Sequence, residues 1–175
     1  METTKKRRRC NWCEDDPMLM DYHDHEWGQP LDDDNDLFEA LTLEIFQAGL
    51  SWKTILHKRE NFRTAFDGFE IHKVSEYKEE KIEELLQNKG IVRHRRKIEA
   101  TIHNANIALE LIKDHGSLKN YFDSLPKETL EKQKEIKKTF KHVGLTTAES
   151  FLMAAGYIQP DHSEECFKTK NRGNL

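Results

Sequence analysis

The chain has 175 residues, 36% of them hydrophobic and 34% charged, with a formal net charge of −4. That length supports one domain with a buried core, or two small lobes, and the composition is that of a soluble globular protein. No stretch approaches the roughly 20 apolar residues that span a bilayer, and the basic start Lys5-Lys6-Arg7-Arg8-Arg9 is not followed by the apolar run of a secretory signal, so a cytoplasmic protein without a membrane partner is expected.

Four prolines, eight glycines and no visible repeat leave helical periodicity nearly uninterrupted, which predicts an all-α protein. In chain order, residues 1–9 read as an unstructured basic tail; its arginines suit a frayed end, a phosphate contact or an import signal. Between Cys10 and Trp52 fall all three tryptophans, Trp12, Trp27 and Trp52, and two of the three cysteines. Such a block reads as a pocket for a flat ligand. Helices are predicted over Asp36–Ala48, Trp52–Phe66, Glu80–Gln87, Arg93–Ile112, Leu118–Ser124, Thr129–Lys138 and Thr146–Ala155. The Lys- and Glu-rich segment from Glu128 to Lys141 reads as a solvated helix with one docked face.

On the helix Asp36–Ala48, Leu37, Leu41, Ile45 and Ala48 form the apolar sector, and Glu44 falls inside it. Removing a carboxylate from water costs several kcal/mol unless something pairs with it. Glu44 therefore either reaches solvent or a neighbouring helix end, or it is an acceptor held for a ligand.

Farther along, Asn88-Lys89-Gly90 joins two predicted helices, and the second opens with Arg93-His94-Arg95-Arg96-Lys97. A tight hairpin ahead of a helix N-terminus exposes backbone N–H groups, and the adjacent cations attract phosphate. An ordinary helix connection with a solvated basic first turn is the plainer reading, and the arginine cluster favours phosphate. Cys10 and His23 near the start, with His162 and Cys166 near the end, make two thiols and two imidazoles, a tetrahedral zinc set. Cys13 competes, because Cys10-x-x-Cys13 is itself a zinc half-site. A disulfide is the other use for such cysteines, and cytosolic redox conditions oppose it. A closed four-ligand zinc would clasp the two ends of the chain and leave no open position for chemistry.

Several words in this chain together resemble the type I DNA-3-methyladenine glycosylases, the Tag family of the helix-hairpin-helix superfamily. They are Cys10-Asn11-Trp12, Asp16-Pro17, Tyr22-His23-Asp24-His25-Glu26-Trp27-Gly28, Leu43-Glu44 running into Gln47-Ala48-Gly49-Leu50-Ser51-Trp52, Lys58-Arg59-Glu60-Asn61-Phe62-Arg63, and Gly90-Ile91-Val92-Arg93-His94-Arg95. The resemblance runs from Cys10 to Cys166. It implies a single glycosylase domain over 10–168, with a helix-hairpin-helix near 80–105, zinc-binding ends at 10–23 and 162–166, and a flexible tail at 169–175. It implies one structural zinc on Cys10, His23, His162 and Cys166, with Cys13 a bystander. Tyr22 and Glu44 would hydrogen bond the excised base, Trp52 would stack on it, and Trp12 and Trp27 would line the same region, with Glu44 the residue closest to catalysis. Asn88, Gly90, Arg93 and Arg95 would meet the DNA backbone.

The implied activity is hydrolytic release of 3-methyladenine, with 3-methylguanine a second candidate, from alkylated double-stranded DNA, leaving an abasic site and the free base. The protein would act as a monomer. Leu19, where many relatives carry tyrosine, Ile45, and the short stretch from His115 to Phe140 depart from the family pattern and bear on base affinity and the wall of the DNA cleft. Glu149, the acid nearest the place where other enzymes of the superfamily keep a catalytic aspartate, is assigned no role. The alternative function is a noncatalytic, zinc-stapled DNA-binding protein of the same fold.

Overall fold

In the computed structural model, which describes residues 8–168, side-chain caps decide where most helices begin. Asp16 accepts from the Met18 and Leu19 N–H groups at 3.0 Å and Pro17 supplies a preset φ, which starts α1 (Pro17–His25). Asp33 opens α2 (Asp34–Gln47) and Ser51 opens α3 (Trp52–Ala65) in the same manner. The short α4 (Ile71–Ser75) and α5 (Glu79–Leu86) follow. His94 caps the long α6 (Arg95–His115), and Ser117 caps α7 (Leu118–Asp123). α8 (Thr129–Thr139) and α9 (Leu145–Ala154) complete the set, with 3-10 turns at Asn11–Cys13 and Asp67–Phe69. The described residues contain no strand.

The central element is α2, which packs on α3, α4, α6, α7 and α9. Its stretch Leu41 to Phe46 is buried at every position, so this part of the helix has no solvent face. Around it lies a phenylalanine-rich core in which Phe38, Phe46, Phe62, Phe66, Phe69, Phe122 and Phe151 are fully buried. Each such ring contributes about 1.5–3 kcal/mol by leaving water. A smaller second cluster joins Cys10, Cys13, Leu19, Tyr22, Leu56 and Cys166, with Trp12, Trp27 and Trp52 packed against it. Leu19 is buried in this cluster and does not itself line the cavities described below.

The two ends of the chain also meet outside that cluster. The Gly28 N–H donates to Ala154 O at 3.0 Å, and a Cβ on Gly156 would stand 2.9 Å from Gly28 O, so only glycine permits the crossing.

The sequence reading places α2, α3, α5, α7, α8 and α9 within two residues at each end. It starts α6 two residues early, at Arg93, because the basic run hides the cap at His94. It omits α1 and α4 entirely. Residues 87–94, where the hairpin was expected, connect α5 to α6, and a second hairpin of residues 140–144 joins α8 to α9. Of the basic tail expected at 1–9, residues 1–7 lie outside the described residues, as does the tail expected at 169–175. Arg8 and Arg9 are placed and engaged, which corrects the expectation for those two. No helix among the described residues is long and apolar enough to cross a membrane.

Candidate active site

Because α2 is covered on all sides at Glu44, the carboxyl cannot escape to solvent, and the residue is only 7% exposed. No hydrogen bond reaches it from the described residues, and burial alone pushes its pKa up to about 8. Burial therefore favours the protonated form of Glu44 at neutral pH. Next to it Tyr22, from α1, is buried, and its phenol is pushed well above its ordinary pKa, first by burial and then by the Glu44 charge. Trp52, the first residue of α3, lies 5.2 Å from Tyr22 between ring centroids. Its Nε1 is the one buried side-chain nitrogen or oxygen among the described residues without a hydrogen-bond partner. An orphan acid and an orphan indole N–H thus flank the same tyrosine, each costing free energy until a ligand or water meets it.

A cavity of about 280 Å³ is lined by Trp12, Tyr22, Trp27, Glu44, Gln47, Trp52, Ser150 and Met153. All five aromatic and acidic side chains singled out for the base are brought together on it. Gln47, Ser150 and Met153 were not foreseen; the last two come from α9, and only the packing of α9 on α2 puts them there. Trp12 and Trp27 meet edge to face at 5.2 Å. A second cavity of about 210 Å³ shares Tyr22, Glu44 and Trp52, and its remaining lining combines the paired charges Glu26–Arg59 and Glu39–Arg63 with Asp36 and the apolar Leu31, Ala40, Leu43 and Ala154. Beyond Gln47, which lines the first cavity, Gly49 with φ 85 turns the chain after α2, and Leu50 projects 40% exposed. Gln47 holds this turn by donating Nε2 to Leu50 O at 2.7 Å.

The aromatic wall rests on the Cys/His cluster. Sγ of Cys10 and Cys166, with ring nitrogens of His23 and His162, all lie within 4.8 Å of one another. Cys10 Sγ is 3.3 Å from His162 Nδ1, and Cys166 Sγ is 3.4 Å from His23 Nε2. Ligands about 2.0–2.3 Å from one tetrahedral zinc would be ~3.5 Å apart, so the donor set and its spacing fit that ion. His23 Nδ1 is 2.9 Å from Asp24 Oδ1, and Arg9 grips the same carboxylate, holding Asp24 down to about 2. That chain of contacts fixes the imidazole orientation, as outer-shell carboxylates do at metal sites. Cys13 is buried but stands outside the set of four, and desolvation pushes its thiol up to about 12. Trp27 packs on the His162 ring at 4.9 Å and Trp12 on the His23 ring at 5.5 Å.

Among the residues expected to meet the DNA backbone, Arg95, Asn88 and Gly90 have partners within the protein. Arg95 is committed to three carboxylates, Glu79 at 2.7 Å, Glu83 at 2.5 Å and Glu99 at 3.1 Å, and so ties α5 to α6. The Gly90 N–H donates to Asn88 Oδ1 at 2.8 Å, so this pair shapes the turn and the Gly90 amide is already used. The N–H groups of Lys89, Val92 and Arg93 have no partner among the described residues, and neither has the Arg93 side chain. Lys97, last of the basic run, is buried and caps the end of α2 by donating Nζ to Phe46 O at 3.0 Å and Ala48 O at 2.8 Å. In the second hairpin, Gly144 opens α9 without a side-chain cap, which leaves first-turn N–H groups for an anion. Glu149 accepts from Gln133 Nε2 at 3.3 Å.

A family model described as methyladenine glycosylase matches residues 12–138. DNA-3-methyladenine glycosylase 1 of Escherichia coli K12 is 39% identical over 178 residues, which cover 90% of this chain and 95% of the relative. A crystal structure of 3-methyladenine DNA glycosylase I superposes with a TM-score of 0.81 at 40% identity, over 91% of this chain and 98% of that one. A variant of 3-methyladenine DNA glycosylase I crystallised in complex with 3-methyladenine gives a TM-score of 0.79 at 35% identity, over 90% and 95% of the two chains.

Proposed function

The chain belongs to the methyladenine glycosylase family, and from that premise we infer how its residues release 3-methyladenine from DNA. It is a monofunctional DNA glycosylase of base-excision repair. The carrying observation is Glu44, an unpaired acid buried in an aromatic cavity.

The target nucleotide must leave the stack, at a cost of a few kcal/mol, before any side chain reaches it. N3-methylation makes adenine a flat cation and weakens its bond to deoxyribose. Tyr22 and Trp52 offer ring faces, which attract a desolvated cation by up to ~2 kcal/mol, with Trp12 and Trp27 closing the wall. The arriving positive charge favours loss of the Glu44 proton, and the resulting carboxylate makes a charge-assisted hydrogen bond to the base. Neutral adenine brings no such charge and meets a protonated acid, so selectivity is set by the same burial that makes Glu44 expensive. The glycosidic electron pair stays with the ring nitrogen as the bond to C1′ breaks. Water adds to C1′ and gives up a proton, leaving an abasic site.

Leu50, an exposed apolar side chain on a turn braced by the cavity-lining Gln47, is suited to fill the gap left by the flipped nucleotide. Backbone phosphates fit the free amides and Arg93 in the first hairpin and the uncapped start of α9 in the second. Cys10, His23, His162 and Cys166 would hold one zinc, which would supply structure and no open coordination position. Residues 10–168 would act as one glycosylase domain, as a monomer in the cytoplasm.

The test is mass-spectrometric detection of bases released from methylated DNA by the purified protein, with Glu44→Ala as control. Release of 3-methyladenine by the wild type alone supports the assignment of Glu44, and the same run reads 3-methylguanine. An equally active Glu44→Ala protein removes the acid from the mechanism.

A further inference from the structure

Two hairpins meet beside the pocket, and the seam between them collects positive charge that no carboxylate answers. His94 closes the turn between α5 and α6, and His142 lies in the turn between α8 and α9. Their rings meet edge to face with centroids 6.0 Å apart, and both residues are exposed. His94 Nδ1 accepts the Lys97 N–H at 3.2 Å, so the ring proton is carried on Nε2, which remains available as a donor.

The charges acting on His142 are His94, Arg96 and Lys97, all on the facing hairpin and α6, and Lys141 precedes it on its own hairpin. Burial, with these neighbours after it, pushes the His142 pKa down. The acids nearest along α5 and α6, Glu79, Glu83 and Glu99, are occupied by Arg95. Arg93 and Arg96 have no ion-pair partner among the described residues. His142 also holds φ 63, a left-handed backbone that a residue with a Cβ adopts at a cost.

The seam is fixed to both walls of the pocket. Lys97, one turn into α6, is bonded to Phe46 O and Ala48 O at the turn that carries Leu50. On the other side α9 runs directly from the second hairpin to Ser150 and Met153 in the cavity. An anion seated on the seam is therefore placed relative to the flipped base.

We propose that His94 and His142, with Arg96 beside them, form a clamp for one DNA phosphodiester that takes up a proton from solvent as it closes. The clamp rests on the glycosylase reading and adds to it a named backbone contact and a pH dependence. Without an anion, burial and then the neighbouring cations disfavour the charged form of His142. A phosphodiester between the rings reverses that field and favours the doubly protonated ring, which donates from both nitrogens. His94 would yield its Lys97 cap if it took the proton, so His142, whose nitrogens hold no such bond, is the site of uptake.

The test uses the full zinc-loaded protein and an undamaged duplex oligonucleotide, so that no cationic base reaches Glu44. Binding is followed by fluorescence anisotropy at constant ionic strength. Wild-type affinity is expected to rise about tenfold between pH 8 and pH 5.5, the effect of a one-unit upward shift in a single histidine on binding. His142→Gly removes the imidazole and releases the strained φ, so its melting temperature should hold or rise while the pH dependence falls below about twofold. His142→Asn, which tolerates the left-handed backbone, should behave likewise, and quenching of tryptophan fluorescence by free 3-methyladenine reads the pocket separately. A wild type whose duplex affinity ignores pH, or a folded His142→Gly protein that keeps the full dependence, overturns the clamp. Normal excision alongside pH-flat binding defeats the clamp alone; proton-linked duplex binding without excision defeats the glycosylase reading and leaves the clamp.

Discussion

The phenylalanine core around α2 and the tryptophan layer over the pocket are both made of flat side chains, yet they are held in opposite ways. In the core, the polar groups that enter are paired: Lys97 on two carbonyls, Thr42 on Phe38 O at 2.8 Å, Thr101 on Lys97 O at 2.8 Å. In the pocket layer, Glu44 and Trp52 Nε1 have no partner among the described residues, and the outer wall leans on two imidazoles contributed by opposite ends of the chain. Burial suffices to stabilise the first region. The second keeps unsatisfied groups in place, and a wall that could relax would collapse on them; a metal held by the Cys/His cluster would supply that rigidity.

The hardest blow to that contrast is removal of the clasp. Cys166→Ser, or stripping metal with a chelator, should destabilise the protein by several kcal/mol, the scale expected when a buried structural ligand is lost. Binding of 3-methyladenine should vanish while most far-ultraviolet helicity survives at low temperature. Simultaneous loss of helicity and base binding in one transition would mean that the two regions are a single cooperative unit. An unchanged melting temperature with zinc demonstrably absent would remove the clasp from the argument.

Next in size is Glu44→Gln, which keeps the shape and removes the charge. Excision of 3-methyladenine should fall about 10²–10³-fold, the usual loss when one preorganised electrostatic partner of a reacting group is removed. Stability should move the other way. The folded-state pKa of Glu44 is raised, so between its ordinary value and about 8 the native protein holds a proton that the unfolded chain has released. Its contribution is therefore favourable at low pH and is lost as pH rises through about 8. Denaturation at about pH 5 and pH 9 should show wild type losing on the order of 3 kcal/mol more than the variant across that interval. Parallel pH curves for the two proteins would show that Glu44 finds a partner in solution.

A smaller effect probes the paired side of the contrast. Lys97→Met keeps the buried stem and removes two charge-assisted hydrogen bonds to the end of α2, at a cost of about 1.5–3 kcal/mol. Urea denaturation reads it directly. A neutral result would mean that water reaches Phe46 O and Ala48 O, and that this part of the core is looser than its burial implies.

How much was legible before folding follows the same division. The span of α2 and the oddity of Glu44 could be read from one helix, because apolar periodicity and the Gly49 stop are local signals. The Cys/His set and the aromatic block could be singled out by residue type, and the family resemblance added the roles within them and set Cys13 aside, since Cys10 and Cys166 are far apart in sequence. Failures lie where a charge's fate depends on a neighbouring helix. Lys97 reads as one more surface cation until the end of α2 arrives beside it, and nothing in the sequence announces that His142 will face His94. The helix α1 was missed although Asp16-Pro17 is a complete start signal, because the nine residues after it show little apolar periodicity. Leu19, which stands where many relatives carry tyrosine, is buried in the cluster of Tyr22, Leu56 and the thiols that backs the pocket.

The smallest expected effect separates two arginines that lie two residues apart and look alike in sequence. The three carboxylates around the Arg95 guanidinium are all exposed, and solvent screens such pairs, so Arg95→Ala should change the melting temperature little. Because that charge is already neutralised within the protein, the slope of log affinity for duplex DNA against log salt should also stay the same. Arg93, exposed in the first hairpin with no partner among the described residues, should behave differently. Losing one phosphate contact flattens that slope by about 0.9 and weakens all duplexes alike. If Arg95→Ala flattens the slope as much as Arg93→Ala does, its carboxylates yield to the DNA backbone on binding, and an ion pair seen in the free protein is a poor guide to which cations meet phosphate.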